Sequence, residues 1–317
     1  MEKRKSRILL SLAGGLGNQL FQLAAALDLS QGRDVELETG VAHPRRNHLG
    51  EAEIQSFVLP ERVKIRKLRY PNWLMAKNTN LFLRFSASSK KFHRIPGYRI
   101  LLLLSSIINS MYFREWRRTL ASKALGYSQV TVGPGKVLLI GLFQSQKWVT
   151  DQSVLEAMRA LEVKNPSKEL LSLQIASKQD LPLVVHVRLG DYLNEHSFGI
   201  PSKSYYKNAI ESALKKGSYR TIWLFSNDLP SARNFLPSNI SIPIREIGDI
   251  GASSAETLHA MRFGNGYVIA NSTFSWWGAF LSTNSNAPVY YPDPWFKRTH
   301  SPENLTPGDW IPVASWD

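Results

Sequence analysis

The sequence predicts an α/β fold built on parallel sheets, and three observations predict it. Short strand patterns recur along the chain, each running into a polar or glycine loop and then into a helical pattern. The strand patterns are short apolar runs rich in leucine or β-branched residues, which suits parallel strands covered on both faces. The chain has 317 residues, 43% of them hydrophobic, enough for a large core divided into two domains.

The first unit opens with a strand at Ile8–Leu12 and a loop Ala13-Gly14-Gly15-Leu16-Gly17. A helix follows from about Asn18, with Leu20, Phe21, Ala24 and Leu27 on its apolar face and Gly32 just past its end. Val137–Ile140 then leads into Gly141-Leu142-Phe143-Gln144-Ser145. Leu183–Val187 leads into Arg188-Leu189-Gly190-Asp191, and Thr221–Phe225 into Ser226-Asn227-Asp228. Tyr267–Ala270 leads into Asn271-Ser272-Thr273 and an aromatic helix, and Val289–Tyr291 is the last strand. The polar stretch Lys178-Gln179-Asp180 before a fresh strand suggests domains of residues 1–178 and 179–317.

Composition excludes several classes. With no cysteine there is no disulfide framework, no Cys-bound zinc and no thiol nucleophile, which fits a reducing cytoplasm. The basic N-terminus and the apolar run Ile8–Ala13 imitate a signal peptide, but the run is short and ends at Gly14-Gly15. Ile100–Ile108 falls well below the roughly 18–20 apolar residues of a spanning helix. The net charge is +14, and its location matters more than its size. Residues 62–118 hold 14 Lys or Arg against one acidic residue, Glu115, a net +13. This window lacks the strand–loop–helix alternation and reads as a basic helical insertion. Its interleaved aromatic and apolar residues favour peripheral contact with an anionic membrane, on its inner face, over nucleic acid.

The polar clusters all follow strands, and in open α/β sheets ligands bind beyond the carboxyl ends of strands. Gly14–Gln19 offers a glycine turn and a helix N-terminus to an anion, although Leu20 stands where a dinucleotide fingerprint needs glycine. The plainer reading is a tight strand-to-helix turn. His186 and Arg188 alternate, so both point to one side of a buried strand. A buried guanidinium requires an anion, and its fork suits a phosphate. Pairing with Asp191 is the structural alternative, but it explains neither His186 nor Gly190. Asn271-Ser272-Thr273 can cap the aromatic helix and present its N-terminus to an anion. Asp228 can accept hydrogen bonds from a nucleoside or simply form a turn.

Together these segments resemble the bacterial α-1,2-fucosyltransferases, inverting enzymes that use GDP-fucose. The resemblance is carried by Gly14–Gln22, Gly141–Ser145, His186–Tyr192, Phe225–Asp228 and Asn271–Ala279, in the family's order over nearly the whole chain. It implies a GT-B-like architecture: two Rossmann-like domains facing each other across a cleft, the first on the acceptor side and the second holding the nucleotide sugar. It implies Arg188 on the donor β-phosphate, with His186 and Asp191 as further catalytic candidates. Gly15, Gly17, Asn18 and Gln19 would line the donor from the first domain. Ser226, Asn227, Asp228, Asn271, Ser272, Thr273 and Ser275 would hold it from the second. Leu37-Glu38-Thr39 and Glu256-Thr257-Leu258 replace the family's usual Leu-Asp-Thr and Glu-Asp-Leu.

Inverting transfer needs stabilisation of the leaving nucleotide and removal of a proton from the acceptor hydroxyl. No Asp-x-Asp occurs, and Asp34-Val35-Glu36-Leu37-Glu38 reads as a solvated strand face, so Arg188 is expected to act without a metal or other cofactor. The expected reaction moves L-fucose from GDP-fucose to a glycan acceptor such as galactose O2. Another GDP-sugar or linkage is the alternative within the enzyme class. A nucleic-acid-binding or membrane-surface protein is the alternative outside it; no nucleic acid is expected, because basic charge alone leaves the strand-end loops unexplained.

Overall fold

The computed structural model describes residues 7–42, 52–66, 118–122, 125–133, 135–190, 197–251 and 253–317, with 100, 103, 104 and 107. It divides into two compact units, Met1–Leu161 with Pro302–Leu305, and Glu162–Ser301 with Thr306–Asp317.

In the first unit, β1 (Arg7–Ala13) lies between β2 (Asp34–Ala42) and β5 (Lys136–Ile140), with β3 (Val63–Arg66) and β4 (Arg118–Ala121) outside them. Every pairing is parallel. Ile8, Leu9, Leu10 and Leu12 are fully buried because a central parallel strand is covered on both sides. Helix α1 (Leu16–Ser30) buries Leu20, Phe21, Leu23, Ala24 and Leu27, and ends with Gln31 and Gly32 both at positive φ. Gln22 pins its start: Oε1 accepts from the Ala13 amide at 3.0 Å, and Nε2 donates to the Gly141 carbonyl at 2.9 Å. The ends of β1 and β5 are thereby tied together.

The acidic face of β2 is not solvated as its alternation suggested. Glu36 is buried between Arg7 and Arg66, the latter at 2.8 Å, and Glu38 is fully buried. Strand β3 supplies Arg66 in register with Glu38, so tertiary pairing converts an apparent surface into an internal charge ladder.

The second unit is a parallel sheet in the order β11-β10-β9-β6-β7-β8. Its strands are β6 (Leu183–Val187), β7 (Ile222–Ser226), β8 (Ile244–Ile247), β9 (Gly266–Val268), β10 (Val289–Asp293) and β11 (Ile311–Ala314). Two α/β units with parallel sheets are therefore present. The division falls before the helix Lys168–Asp180, not after it. That helix is held by the second unit: Glu256 accepts the Ser167 amide at 2.8 Å, and Asp180 accepts the Trp223 indole N–H at 2.8 Å.

Most of the basic insertion lies outside the described residues. Of those described within it, Val63–Arg66 form strand β3 and not a helix, because they pair with β2, whereas Ile100, Leu103, Leu104 and Ile107 are helical and exposed. Among the described residues no helix is long and apolar enough to cross a membrane.

A buried polar cluster braces the helix Ser254–Met261. Arg262 donates from Nε to the Leu281 carbonyl at 3.0 Å and lies 3.2 Å from His259 Nδ1. His259 Nε2 stands 3.4 Å from Glu162, a contact that alone would favour the charged ring. Burial and the Arg262 charge outweigh it and lower His259 to about 4. Glu162 is largely exposed and screened, so the neutral ring, donating to Glu162, is the consistent state. His186 is lowered to about 3 by burial and by the charge of Arg188. Both folded values lie below the unfolded value of about 6.5. Folding stability is then independent of these rings above pH 6.5 and falls as pH drops towards 4, by up to about 1.4 kcal/mol per pH unit per ring. Urea unfolding at pH 7.5, 6.5, 5.8 and 5.0 should show a plateau and then a fall; equal stability at all four would mean that the rings ionise normally.

Candidate active site

The site in the second unit is built where three adjacent strands, β9, β6 and β7, reach their carboxyl ends. Strand β6 is wholly buried, and the chain leaves it through Arg188, Leu189 and Gly190. Arg188 is half-buried. Asn227, just past β7, holds this turn: its Oδ1 accepts the Leu189 amide at 3.1 Å. Gly190 has φ +53°, and a Cβ there would collide with Asn227 Nδ2, so both conformation and space require glycine.

Beyond β9, Ser272 caps the aromatic helix α7 (Thr273–Phe280), accepting the Phe274 amide at 3.3 Å. Phe274 packs against the His186 ring at 6.1 Å between centroids, which links the start of α7 to the end of β6. The structure thus brings the Arg188 turn and a capped helix N-terminus to one edge of one sheet. A guanidinium beside a positive helix end is suited to an anion such as a phosphate.

Several residues expected to touch the donor also make contacts within the protein. His186 is 4% exposed and held neutral by burial, and its Nδ1 has no hydrogen-bond partner among the described residues. A ring so enclosed packs against Phe274. Asn271 donates from Nδ2 to the carbonyls of Gly199 at 2.9 Å and Phe198 at 3.2 Å, anchoring that loop beside α7. Ser275 is fully buried and back-bonds to Ala270 and Ser272. Asn227 positions Arg188 and Gly190, as above. Ser226 accepts the Asp228 amide at 3.1 Å, and Asp228 caps the helix Leu229–Arg233 through the Ser231 amide at 3.2 Å. Thr273 is half-buried in the first turn of α7. Asp191 lies outside the described residues.

The first unit has its own cluster at the carboxyl edge of its sheet. Gly14 has φ +74°, and Gly15 precedes α1. Gly17 and Gln19 are buried. Gln19 is a brace: Nε2 donates to the Gly14 carbonyl and Oε1 accepts the Ile54 amide, each at 3.0 Å. Asn18 is half-buried, and its Oδ1 accepts from Gln144 Nε2 at 2.9 Å. The first amide of α1, that of Leu16, donates to Glu53 Oε2 at 2.8 Å. An acid of this chain therefore occupies the position where the sequence offered an anion cradle. Nothing in the glycine motif signals this, because Glu53 lies 37 residues away in sequence.

Comparison with known proteins decides the family. The model of Glycosyl transferase family 11 matches residues 137–311, more than half of the chain. The chain belongs to glycosyl transferase family 11. As a family 11 member it is a glycosyltransferase, and the match spans the Arg188 turn and α7. An alpha-1,2-colitosyltransferase of Escherichia coli is 23% identical over 300 residues, covering 92% of this chain and 93% of that one. The Escherichia coli O-antigen biosynthesis glycosyltransferase WbnK is 30% identical over 131 residues, covering 40% of this chain and 43% of that one. The crystal structure of fucosyltransferase NodZ from Bradyrhizobium aligns with TM-score 0.46 and 12% identity, over 88% of this chain and 94% of that one.

The Asn227 contact yields a test in this family 11 enzyme. Asn227→Ala removes the acceptor for the Leu189 amide and should cost about 1 kcal/mol of stability. With the Arg188 turn loosened, kcat should fall about tenfold or more at saturating substrate. Asn227→Asp keeps the acceptor and should recover much of the melting temperature. Unchanged kcat in a folded Asn227→Ala variant would show that the turn holds itself.

Proposed function

We propose that this glycosyltransferase moves L-fucose from GDP-fucose to O2 of a galactose residue in a glycan acceptor, with inversion at the anomeric carbon and an α-1,2 linkage. The observation that carries the reading is the Arg188 turn beside the α7 N-terminus, in a family 11 chain. As the bond from sugar to β-phosphate breaks, negative charge grows on the departing GDP. Arg188 and the first-turn amides of α7 meet that charge from fixed positions, so no metal ion is required in this scheme. Ser272 and Thr273 line the phosphate side, and Asp228 the nucleoside side.

The relative named for colitose transfer, which spans 92% of the chain, favours one second reading: the same chemistry with colitose in place of fucose. Direct competition between GDP-fucose and GDP-colitose for turnover separates the two.

Arg188→Lys keeps the charge but loses the two-pronged geometry, and transfer should fall at least about tenfold in a folded protein. EDTA should leave the rate of the unaltered enzyme largely intact. Near-normal turnover by Arg188→Lys removes the guanidinium from the mechanism, and loss with EDTA restored by manganese or magnesium removes the metal-free scheme.

The acceptor in this proposal is a lipid-linked glycan, reached by peripheral attachment of residues 62–118 to an anionic membrane. The net +13 of that window and the exposed Ile100, Leu103, Leu104 and Ile107 support it. Sedimentation with vesicles should require acidic lipid and weaken at high salt and in Lys90→Gln with Lys91→Gln and Arg94→Gln. Equal recovery with neutral vesicles would assign the charge another partner.

A further inference from the structure

Asn18 and Gln144, we propose, form a binding site for a hydroxyl of an uncharged saccharide, built wholly within the first unit. That this saccharide is the acceptor rests on the function proposed above. Asn18 stands in the first turn of α1, its amide donating to the Gly15 carbonyl at 2.9 Å. Gln144 lies in the loop beyond β5, and its Nε2 donates to Asn18 Oδ1 at 2.9 Å. The oxygen of Asn18 is thereby taken, and the group its carboxamide has left to offer is the Nδ2 donor. Nδ2 lies against Gly14, where a Cβ would stand only 2.5 Å from it. Gly14 is half-buried and Gly15 exposed, so the turn beside this donor is open to solvent.

Two features show that holding this pair is unfavourable for the fold by itself. Phe143 is fully buried at φ +53°, in the left-handed region that bulky side chains avoid. The kink leads directly into Gln144, whose amide donates to the Leu125 carbonyl at 2.7 Å. Gln144 is 7% exposed, yet its Oε1 is buried with no hydrogen-bond partner among the described residues. A buried acceptor left open costs stability, as does a strained φ, and such features gather where ligands bind. A hydroxyl answers both carboxamides: it accepts from Asn18 Nδ2, and it has a hydrogen to give to Gln144 Oε1.

The chemistry is that of a neutral ligand. Neither Gly14–Gln19 nor Gly141–Gln146 contains Lys or Arg. The Leu16 amide, which would meet an anion at the start of α1, donates instead to Glu53 Oε2 at 2.8 Å. Phosphate calls for a cation such as the Arg188 guanidinium, whereas two carboxamides without one suit hydroxyls. In a family 11 glycosyltransferase the neutral, hydroxyl-rich ligand is a saccharide.

Asn18→Asp is the decisive variant. It keeps the oxygen that accepts from Gln144 and suits the start of a helix, but it replaces the Nδ2 donor by an acceptor. Binding of lactose to the whole chain, titrated by ligand-observed NMR with no nucleotide sugar present, should weaken at least about fivefold. The melting temperature and the affinity for GDP should stay unchanged. Gln144→Leu leaves the Asn18 carboxamide without its orienting bond and should also weaken lactose binding several-fold; it gives the same test where Asn18→Asp does not fold. Lactose affinity within about twofold of the unaltered protein in a folded variant would overturn the proposal, because about one hydrogen bond is at stake. So would a fall in GDP affinity as large as the fall for lactose. Maltose and cellobiose are titrated beside lactose. If the unaltered protein binds one of these and not lactose, and Asn18→Asp abolishes that binding, the saccharide site stands while galactose is removed from the proposed function. Failure of the unaltered protein to bind any of the three overturns the site itself.

Discussion

Arg188 leaves the end of a strand whose side chains are all buried, and the surroundings are arranged to keep its charge in one place. A guanidinium on a flexible loop would lose entropy each time it met a phosphate. Here the loop is shortened to a turn, bonded through the Leu189 amide to Asn227 on the neighbouring strand's loop. Gly190 permits the turn because a Cβ would strike the same asparagine. The neutral His186 ring and Phe274 then pack the base of the turn against α7. The charge is presented at the one edge of a parallel sheet where helix N-termini also converge, so two sources of positive potential act together.

The first unit solves a different problem with similar means. Its glycine loop must pass from β1 into α1 while holding the ends of β1 and β5 in line. Gln22 and Gln19 do this from inside, each using both ends of its amide on the backbone. The Glu53 carboxylate satisfies the first amide of α1, which would otherwise be open to an external anion. The two glycine-containing strand ends therefore have opposite electrostatic character. One gathers positive potential beside Arg188, and the other brings a carboxylate to its loop.

The sequence by itself determined the parallel α/β class and the strand-to-loop units at β1, β5, β6, β7, β9 and β10, whereas the edge strands β3, β4, β8 and β11 carried no clear pattern of their own. Periodicity, glycine placement and apolar runs are local signals, and β1, β6 and the aromatic helix α7 formed within a few residues of where those signals put them. The family was legible for the same reason, since its motifs are contiguous. Tertiary structure decided what each polar side chain does. Asn227, Asn271, Gln19 and Ser275 look alike in sequence to residues that bind a ligand, yet each spends its hydrogen bonds on the protein's own backbone. The face of β2 looked solvated until Arg7 and Arg66 closed on Glu36. Glu53 carried no signal at all, because its partner is 37 residues distant. A hydrogen-bonding group is written in the sequence, but its partner is chosen by which strand ends the fold brings within about 3 Å.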